Sequence, residues 1–380
     1  MRVCIIRNAE SKTNAAIFRV IDALLDSGNQ CLLLTRSRYN KDKGILKKEH
    51  NHNGHSVDNY EINIKVKAGR GLLNIFQLIY YQFIVFMWIM KNNNKYDIIH
   101  SFDLDSGLPV LLASKISKKK YVYHIADFYV DSRGGIPKTL KKFTRKLEYK
   151  VIENAETTII CTEERKEQIK GSKPKKLVVV HNTPSINISN EKETSVESIG
   201  KEDNKNLTFT YVGGLSEKRF IKSIIDVFKE HPQFNLELAG MGNLSDYAKQ
   251  ASEEYGNINY YGMISYEEAL EMYSKCDVMF AIYDPSVPNH RYSAPNKVYE
   301  AMINGKPIIV AKNTSVDDIV RRENMGFVIK YNREAFEEVL YIISKDKSIL
   351  KKYGQNALKA YNKYSWEEMK KRLINIYENI

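Results

Sequence analysis

The chain has 380 residues, 43% of them hydrophobic, which is too long for one ordinary domain and apolar enough for two packed cores. Its net charge of +12 lies in the first half: residues 1–185 carry 32 Lys and Arg against 18 Asp and Glu, and the remainder 26 against 28. Cys4, Cys31, Cys161 and Cys276 stand far apart with no C-x-x-C spacing, which excludes a disulfide framework or a thiolate zinc site and fits buried single thiols in a reducing compartment. The basic excess points to an anionic partner in the first half: a membrane surface, a phosphorylated acceptor or nucleic acid. A solvated basic face is the plainer reading.

Met1 to Ala9 reads as a first strand rather than a signal peptide. Val3–Arg7, the amphipathic Ala15–Ser27 closed by Gly28, and Gln30–Thr35 make a β-α-β opening of a parallel sheet. The loop Asn8–Asn14 follows a strand's carboxyl end, where such sheets bind ligands, yet it has no G-x-G-x-x-G fingerprint. Residues 39–58 are polar and read as an excursion in which His50, His52 and His55 are solvated. Gly71–Met90 is long enough to span a bilayer. Asn74, Gln77 and Tyr81 put a polar stripe on it at i, i+3, i+7, and the strand Asp97–Phe102 follows at once. The segment therefore reads as a helix buried on the sheet, with one edge open to lipid.

Asp103 and Asp105 lie at a strand-to-helix turn and read as N-caps. Asp127 ends the strand Tyr121–Ala126 and is a candidate cleft acid, with His124 upstream on that strand. Capping and a core histidine explain this pair equally well. Pro137–Glu153 is a basic helix whose Leu140, Phe143, Leu147 and Val151 form an apolar stripe flanked by lysines. The pattern suits a membrane surface and equally a helix packed on a sheet. Strands Thr157–Cys161 and Leu177–His181, with the helix Glu163–Lys170 between them, close the first domain.

Residues 184–206 are polar and almost free of large apolar side chains, so they read as a linker. The predicted organisation is a first domain over 1–185, a linker over 186–206 and a second domain over 207–360. A C-terminal helix over 361–380 would pack back toward the first domain. In the second domain strands are predicted at Leu207–Val212, Phe234–Ala239, Ile258–Tyr261, Val278–Tyr283, Ile308–Ala311 and Phe327–Tyr331. Gly213-Gly214 turns into the helix Ile221–Glu230, and Ser365 caps the last helix. The fold class is α/β: two Rossmann-like parallel-sheet domains facing a central cleft.

Within the second domain, Ser293–Lys312 (SAPNKVYEAMINGKPIIVAK) stands out. Pro295 precedes a helix over Asn296–Asn304, Gly305 stops it, and Ile308–Ala311 is a buried strand. Lys297 and Glu300 share one face near the helix N-terminus, whose free N–H groups and partial positive charge suit a phosphate. Glu300 could accept two hydrogen bonds from a vicinal diol such as a ribose. A surface Glu–Lys pair is the equally weighted alternative.

The segments DLDSGLPVLLASK, YVGGLSEKR, YSAPNKVYEAMINGKPIIV and YSWEE resemble the retaining nucleotide-sugar glycosyltransferases of the GT-B fold, family 4 or group 1. The resemblance covers nearly the whole chain, and its most specific part is PNK-x-x-E-A-M-x-x-GKP. It implies that Glu300 binds the nucleotide ribose, that Arg219 holds the pyrophosphate and that Lys297 lies near the same phosphates. Gly213 and Gly214 would form the phosphate-facing turn, and Gly240 and Gly242 a loop near the nucleotide. Backbone groups at Met263 and Ile264 would meet the base. Many members carry an acid eight positions before the ribose-binding Glu. Here that position is Tyr292, so Ser293 or backbone N–H groups would replace the contact. Many members also place His directly before the acid of the first domain. Here Ala126 precedes Asp127, which leaves the catalytic role to Asp127 or His124.

The function implied is a hexosyltransferase that moves a sugar from a nucleotide diphosphate to a glycan or lipid-linked acceptor. Arg219, Lys297 and a helix N-terminus would stabilise the departing diphosphate, so no metal or other cofactor is expected. No carboxylate pair of the hydrolase type stands out. The expected place is the cytoplasm, peripheral on the inner face of the membrane through the basic first domain, in polysaccharide or glycoconjugate synthesis. An alternative is a nucleotide-sugar epimerase on the same fold, which would consume donor without acceptor. A non-catalytic binder of anionic surfaces or nucleic acid ranks lower, because no aromatic stacking platform interleaves the basic residues. No nucleic-acid partner is therefore expected.

Overall fold

The computed structural model describes residues 1–10, 14–37, 44–65, 75–133, 136–185 and 206–380. It divides into two compact units, Met1–His181 with Met369–Ile380, and Asn182–Glu368. The expected linker lies outside the described residues except for Asn206.

The first unit starts with β1 (Arg2–Ile6), α1 (Ala15–Asp26), β2 (Gln30–Ser37), β3 (Gly44–His52) and β4 (His55–Asn63). It continues through α2 (Ile75–Lys91), β5 (Ile98–Phe102), α3 (Asp103–Ser117), β6 (Tyr121–Ile125) and the short α4 (Tyr129–Ser132). It ends with α5 (Lys138–Asn154), β7 (Thr157–Ile160), the short α6 (Arg165–Gln168) and β8 (Leu177–Val179). The eight strands form one sheet in the order β3-β4-β2-β1-β5-β6-β7-β8, parallel except for β3 against β4. The winding reverses between β1 and β5. Right-handed crossovers then put α1 on one face and α2, α3 and α5 on the other. Tyr81, Val85 and Trp88 of α2, Val110 of α3 and Val151 and Ile152 of α5 share one core with Cys4, Ile6 and Ile99 of the sheet. Strands covered on both faces need continuous apolar runs, which Val3–Ile6 supplies.

Three expectations change here. From residue 44 onward the polar excursion is the hairpin β3–β4, added to the sheet edge by parallel pairing of β4 with β2. Asn53 and Gly54 both have positive φ (48° and 82°), the two-residue turn whose twist matches a hairpin. Two of the three histidines are not solvated: His50 and His52 stack on Phe18 with centroids 5.5 and 5.1 Å away, and His52 also meets Asp22, whereas His55 is exposed. The apolar segment 71–90 becomes α2 from Ile75 onward, and Asn74 lies outside the described residues. Its Tyr81 is buried, with the hydroxyl 3.2 Å from Ser106 Oγ of α3. No helix among the described residues is long and apolar enough to cross a membrane. The α5 stripe is mainly a packing face: Val151 is buried, Leu140 and Leu147 are half-buried, and Phe143 alone points to solvent.

The second unit runs β9 (Leu207–Val212), α7 (Ile221–Glu230), β10 (Phe234–Ala239), α8 (Ser245–Glu254), β11 (Ile258–Tyr260), α9 (Tyr266–Lys275) and β12 (Val278–Ala281). The short α10 (Pro288–Arg291), α11 (Asn296–Asn304), β13 (Ile308–Ala311), α12 (Val316–Glu323) and β14 (Gly326–Ile329) follow. Then come α13 (Arg333–Lys345), α14 (Ser348–Tyr364) and α15 (Trp366–Glu378). Its six strands are all parallel in the order β11-β10-β9-β12-β13-β14, so the winding reverses between β9 and β12. Ser365 Oγ accepts from Glu368 N at 3.3 Å and caps α15 as its sequence suggests.

From Met369 onward α15 belongs to the first unit. Met369, Leu373, Ile376 and Tyr377 are buried, and the Tyr377 hydroxyl lies 2.6 Å from His100 Nδ1. Burial pushes the His100 pKa down to about 3, so the ring is neutral and its Nδ1 depends on that one hydroxyl. Tyr377→Phe is expected to lower stability by about 1–3 kcal/mol in urea unfolding, the cost of a buried polar atom left without a partner. An unchanged midpoint would show that this contact is not made in solution.

Candidate functional site

In the second unit β9 ends in the turn Gly213-Gly214, at the reversal where open α/β sheets bind ligands. A second loop crosses it: Gly213 N donates to Ala239 O at 2.9 Å and Leu215 N to Met241 O at 3.0 Å. A Cβ on Gly240 would stand 1.9 Å from Gly213 O, and one on Gly242 2.0 Å from Leu215 O. Gly240 and Gly242 are therefore required by the backbone crossing itself, which fixes the Gly213-Gly214 turn.

Two cations reach this turn. Arg219 closes a short 3₁₀ turn, Glu217–Arg219, and its Nη1 lies 3.3 Å from the Tyr211 hydroxyl. Its guanidinium sits over the Tyr283 ring, 5.4 Å from the centroid. Lys297 lies in the first turn of α11 with Nζ 4.9 Å from the Tyr211 ring centroid. A Cβ on Gly213 would come within 2.8 Å of that Nζ, which places the ammonium against the turn. Tyr211 donates its hydroxyl to Gly214 O at 3.0 Å. One tyrosine thus holds the turn and touches both cations. Among the described residues neither Arg219 nor Lys297 makes an ion pair with a carboxylate within 4.0 Å.

Helix α11 begins at Pro295 and ends at Gly305, whose φ of 60° suits glycine. Its N-cap residue, Pro295, makes no side-chain cap bond, and Val298 N donates to Pro295 O at 3.3 Å. Glu300, one turn in, is 4% exposed and accepts from the Tyr266 hydroxyl at 3.1 Å. Burial raises its pKa above the usual carboxylate value, against the pull of Lys297 and the Tyr266 hydrogen bond. This enclosure excludes the surface-pair reading of Lys297 and Glu300. Ser293 Oγ donates to His290 O at 3.0 Å, next to half-buried Tyr292. Met263 is 76% exposed beyond β11, whereas Ile264 packs against the core.

The first unit has its own cavity of about 200 Å³ at the reversal between β1 and β5. Arg7, Asn8, Asp103, Asp105, Asp127 and Arg133 supply its polar lining. Asp103 begins α3 with φ 54°, a left-handed conformation uncommon outside glycine. It does not cap its own helix. Its Oδ1 accepts from Ala126 N and Asp127 N, both at 2.9 Å, and so fastens the end of β6. Burial pushes the Asp103 pKa up to about 6, opposed by Arg7. Asp105 Oδ2 accepts from Asn8 Nδ2 and Arg133 Nη2, both at 2.8 Å. Asp127 stands exposed on the rim. His124 is buried away from the lining, stacked on Phe102 and 3.2 Å from His100 Nε2. Burial drives its pKa well below that of a free imidazole, as for a neutral core histidine. Among the described residues no group of three His, Cys, Asp or Glu is placed to hold a metal ion.

Residues 15–183 match the model for glycosyltransferase family 4, and residues 191–360 match the model for glycosyl transferases group 1. The chain is a glycosyltransferase of the GT-B fold. Sucrose-phosphate synthase from Thermosynechococcus elongatus is similar in structure with a TM-score of 0.72 at 16% identity, over 100% of this chain and 98% of its own. Anabaena HepE in complex with UDP has a TM-score of 0.71 at 15% identity, with both chains covered at 100%. The lipopolysaccharide outer core galactosyltransferase WaaB has a TM-score of 0.67 at 17% identity, over 100% of this chain and 99% of its own. No curated protein matches the chain.

Sequence reasoning about this glycosyltransferase picked out Arg219, Lys297 and Glu300, and the fold brings Arg219 and Lys297 to one tyrosine. It missed the tyrosines that position them, Tyr211, Tyr266 and Tyr283. It also missed the carboxylate work of Asp103. Beneath the first cavity lies Glu148, fully buried, accepting from the Tyr123 hydroxyl at 2.9 Å and Tyr129 N at 3.2 Å. Burial pushes its pKa up to about 8. The folded state then binds this proton more tightly than the unfolded chain, so stability falls as pH rises from about 4.5 to about 8. Glu148→Gln keeps one acceptor contact through its single amide oxygen, cannot titrate, and is expected to flatten the decline. Melting temperatures of both proteins across this range check it, and parallel pH profiles would reject the assignment.

Proposed function

We propose that the second unit binds a nucleotide diphosphate sugar and that the enzyme transfers its hexose to a glycan or lipid-linked acceptor. The observation that carries this reading is the pair Arg219 and Lys297, held at the Gly213-Gly214 turn with no carboxylate oxygen within 4.0 Å of either among the described residues. A diphosphate supplies the missing negative charge. Glu300, on the helix that carries Lys297, takes the ribose hydroxyls. The structural neighbour HepE, with structures in complex with UDP and with UDP-glucose, supports the choice of ligand.

As the bond between the anomeric carbon and the diphosphate oxygen breaks, negative charge grows on the diphosphate and the sugar gains oxocarbenium character. Arg219, Lys297 and the N-terminus of α11 offset that charge from fixed positions. The acceptor hydroxyl oxygen bonds to the anomeric carbon, and its proton passes to the departing phosphate oxygen. No protein nucleophile is needed, and configuration is retained. Ser293 or nearby backbone N–H groups contact the sugar where Tyr292 replaces an acid. The acceptor occupies the cavity of the first unit, where Asp103, Asp105 and Asp127 offer carboxylate oxygens to sugar hydroxyls. The unpaired thiols suit a cytoplasmic enzyme, and polysaccharide or glycoconjugate synthesis suits such an acceptor.

Glu300→Ala is expected to weaken binding of the preferred nucleoside diphosphate, among UDP, GDP and ADP, by about 1.5–3 kcal/mol in calorimetry. Lys297→Met should weaken it similarly and, unlike Glu300→Ala, should lower its salt dependence. Wild-type affinity in Glu300→Ala would remove the ribose assignment.

A further inference from the structure

We propose that the outer surface of α2, α3 and α5 is a docking face for an anionic lipid bilayer. The three helices lie side by side on one face of the first sheet, and their inner sides fill its core. Their outer sides are unlike an ordinary surface. On α2, Phe76, Ile79, Tyr80, Phe83 and Met87 form a solvent-facing stripe at i, i+3, i+4, i+7 and i+11. Phe76 is 78% exposed and Phe83 59%. Leu112 and Ile116 of α3 and Phe143 of α5 extend the apolar surface across the layer. Single exposed apolar residues are unremarkable, but eight large ones on the outer sides of three adjacent helices mark an interaction surface.

The charges decide what covers it. Every exposed charged residue of these helices is a lysine: Lys91, Lys115, Lys138, Lys142, Lys146 and Lys150. Lys146 and Lys150 continue the stripe of Phe143, and Lys115 sits beside Ile116. Apolar side chains ringed by lysines match the acyl boundary and headgroups of an anionic leaflet, where each lysine adds about 1 kcal/mol. A second copy of the chain fits poorly, because two-fold symmetry sets the same lysines against one another. No helix among the described residues is long and apolar enough to cross the bilayer, so the face would lie on it. This docking is independent of the donor reading above.

The test is co-sedimentation of the full chain with vesicles of phosphatidylglycerol and phosphatidylcholine, and with phosphatidylcholine alone. Binding is expected to the first, to fall with salt, and to be weak for the second. Phe76→Glu with Phe83→Glu should reduce binding roughly ten-fold or more, with circular dichroism and nucleotide binding in solution unchanged. Lys142→Glu with Lys146→Glu should remove much of the preference for phosphatidylglycerol. The proposal is overturned by protein left in the supernatant with both vesicles, by equal binding to both, or by a solution dimer that Phe83→Glu disperses.

Discussion

Two like charges held together without a carboxylate between them are the constraint around which the second unit is built. Lys297 and Arg219 meet at opposite ends of Tyr211, the ammonium over its ring and the guanidinium at its hydroxyl. Within ~10 Å of each other, such charges repel by on the order of 1–2 kcal/mol at an effective dielectric near 20. The surroundings offset this without neutralising it. Tyr211 and Tyr283 present ring faces to the cations, and Glu300 stands nearby without forming an ion pair. The crossing at Gly240 and Gly242 keeps the turn in place, with the ammonium against Gly213. A diphosphate bound as proposed would meet cations already in place. That is the preorganisation a departing diphosphate requires.

The first unit repeats the sheet logic with opposite chemistry. Its reversal, between β1 and β5, gathers carboxylates where the second unit gathers cations. Arg7, Asn8 and Arg133 pair with Asp103 and Asp105, so these acids are oriented as well as clustered. The left-handed backbone at Asp103 is a local cost, and the two hydrogen bonds it receives from the end of β6 hold it there. Glu148 sits below with burial favouring its protonated form, so the wall behind the cavity gains no further negative charge at neutral pH.

The parallel strands were legible because strands covered on both faces must be continuously apolar, and Val3–Ile6 and Ile308–Ala311 are. Helix α11 was legible to the residue, since Pro295 and Gly305 mark its ends by backbone geometry alone. The hairpin β3–β4 was misread, because lysines and histidines on an edge strand conceal the alternation. Its turn signal, Asn53-Gly54, was in plain view. Long-range pairings were not legible. Nothing local to Asp103 indicates that it serves the end of β6, and nothing local to Tyr211 indicates that it joins Arg219 to Lys297. His124 shows the converse: a titratable residue near a strand end looked functional, and its burial against Phe102 and His100 makes it part of the core.

The proposed reaction passes a sugar from a nucleotide diphosphate held by this glycosyltransferase to an acceptor. The most direct measurement is product analysis by NMR after incubation with single nucleotide sugars, with and without glycan acceptors. Sugar transfer is expected only when acceptor is present, with the donor's anomeric configuration kept in the product. Conversion of the donor to an epimer without acceptor, or an inverted product, would contradict it.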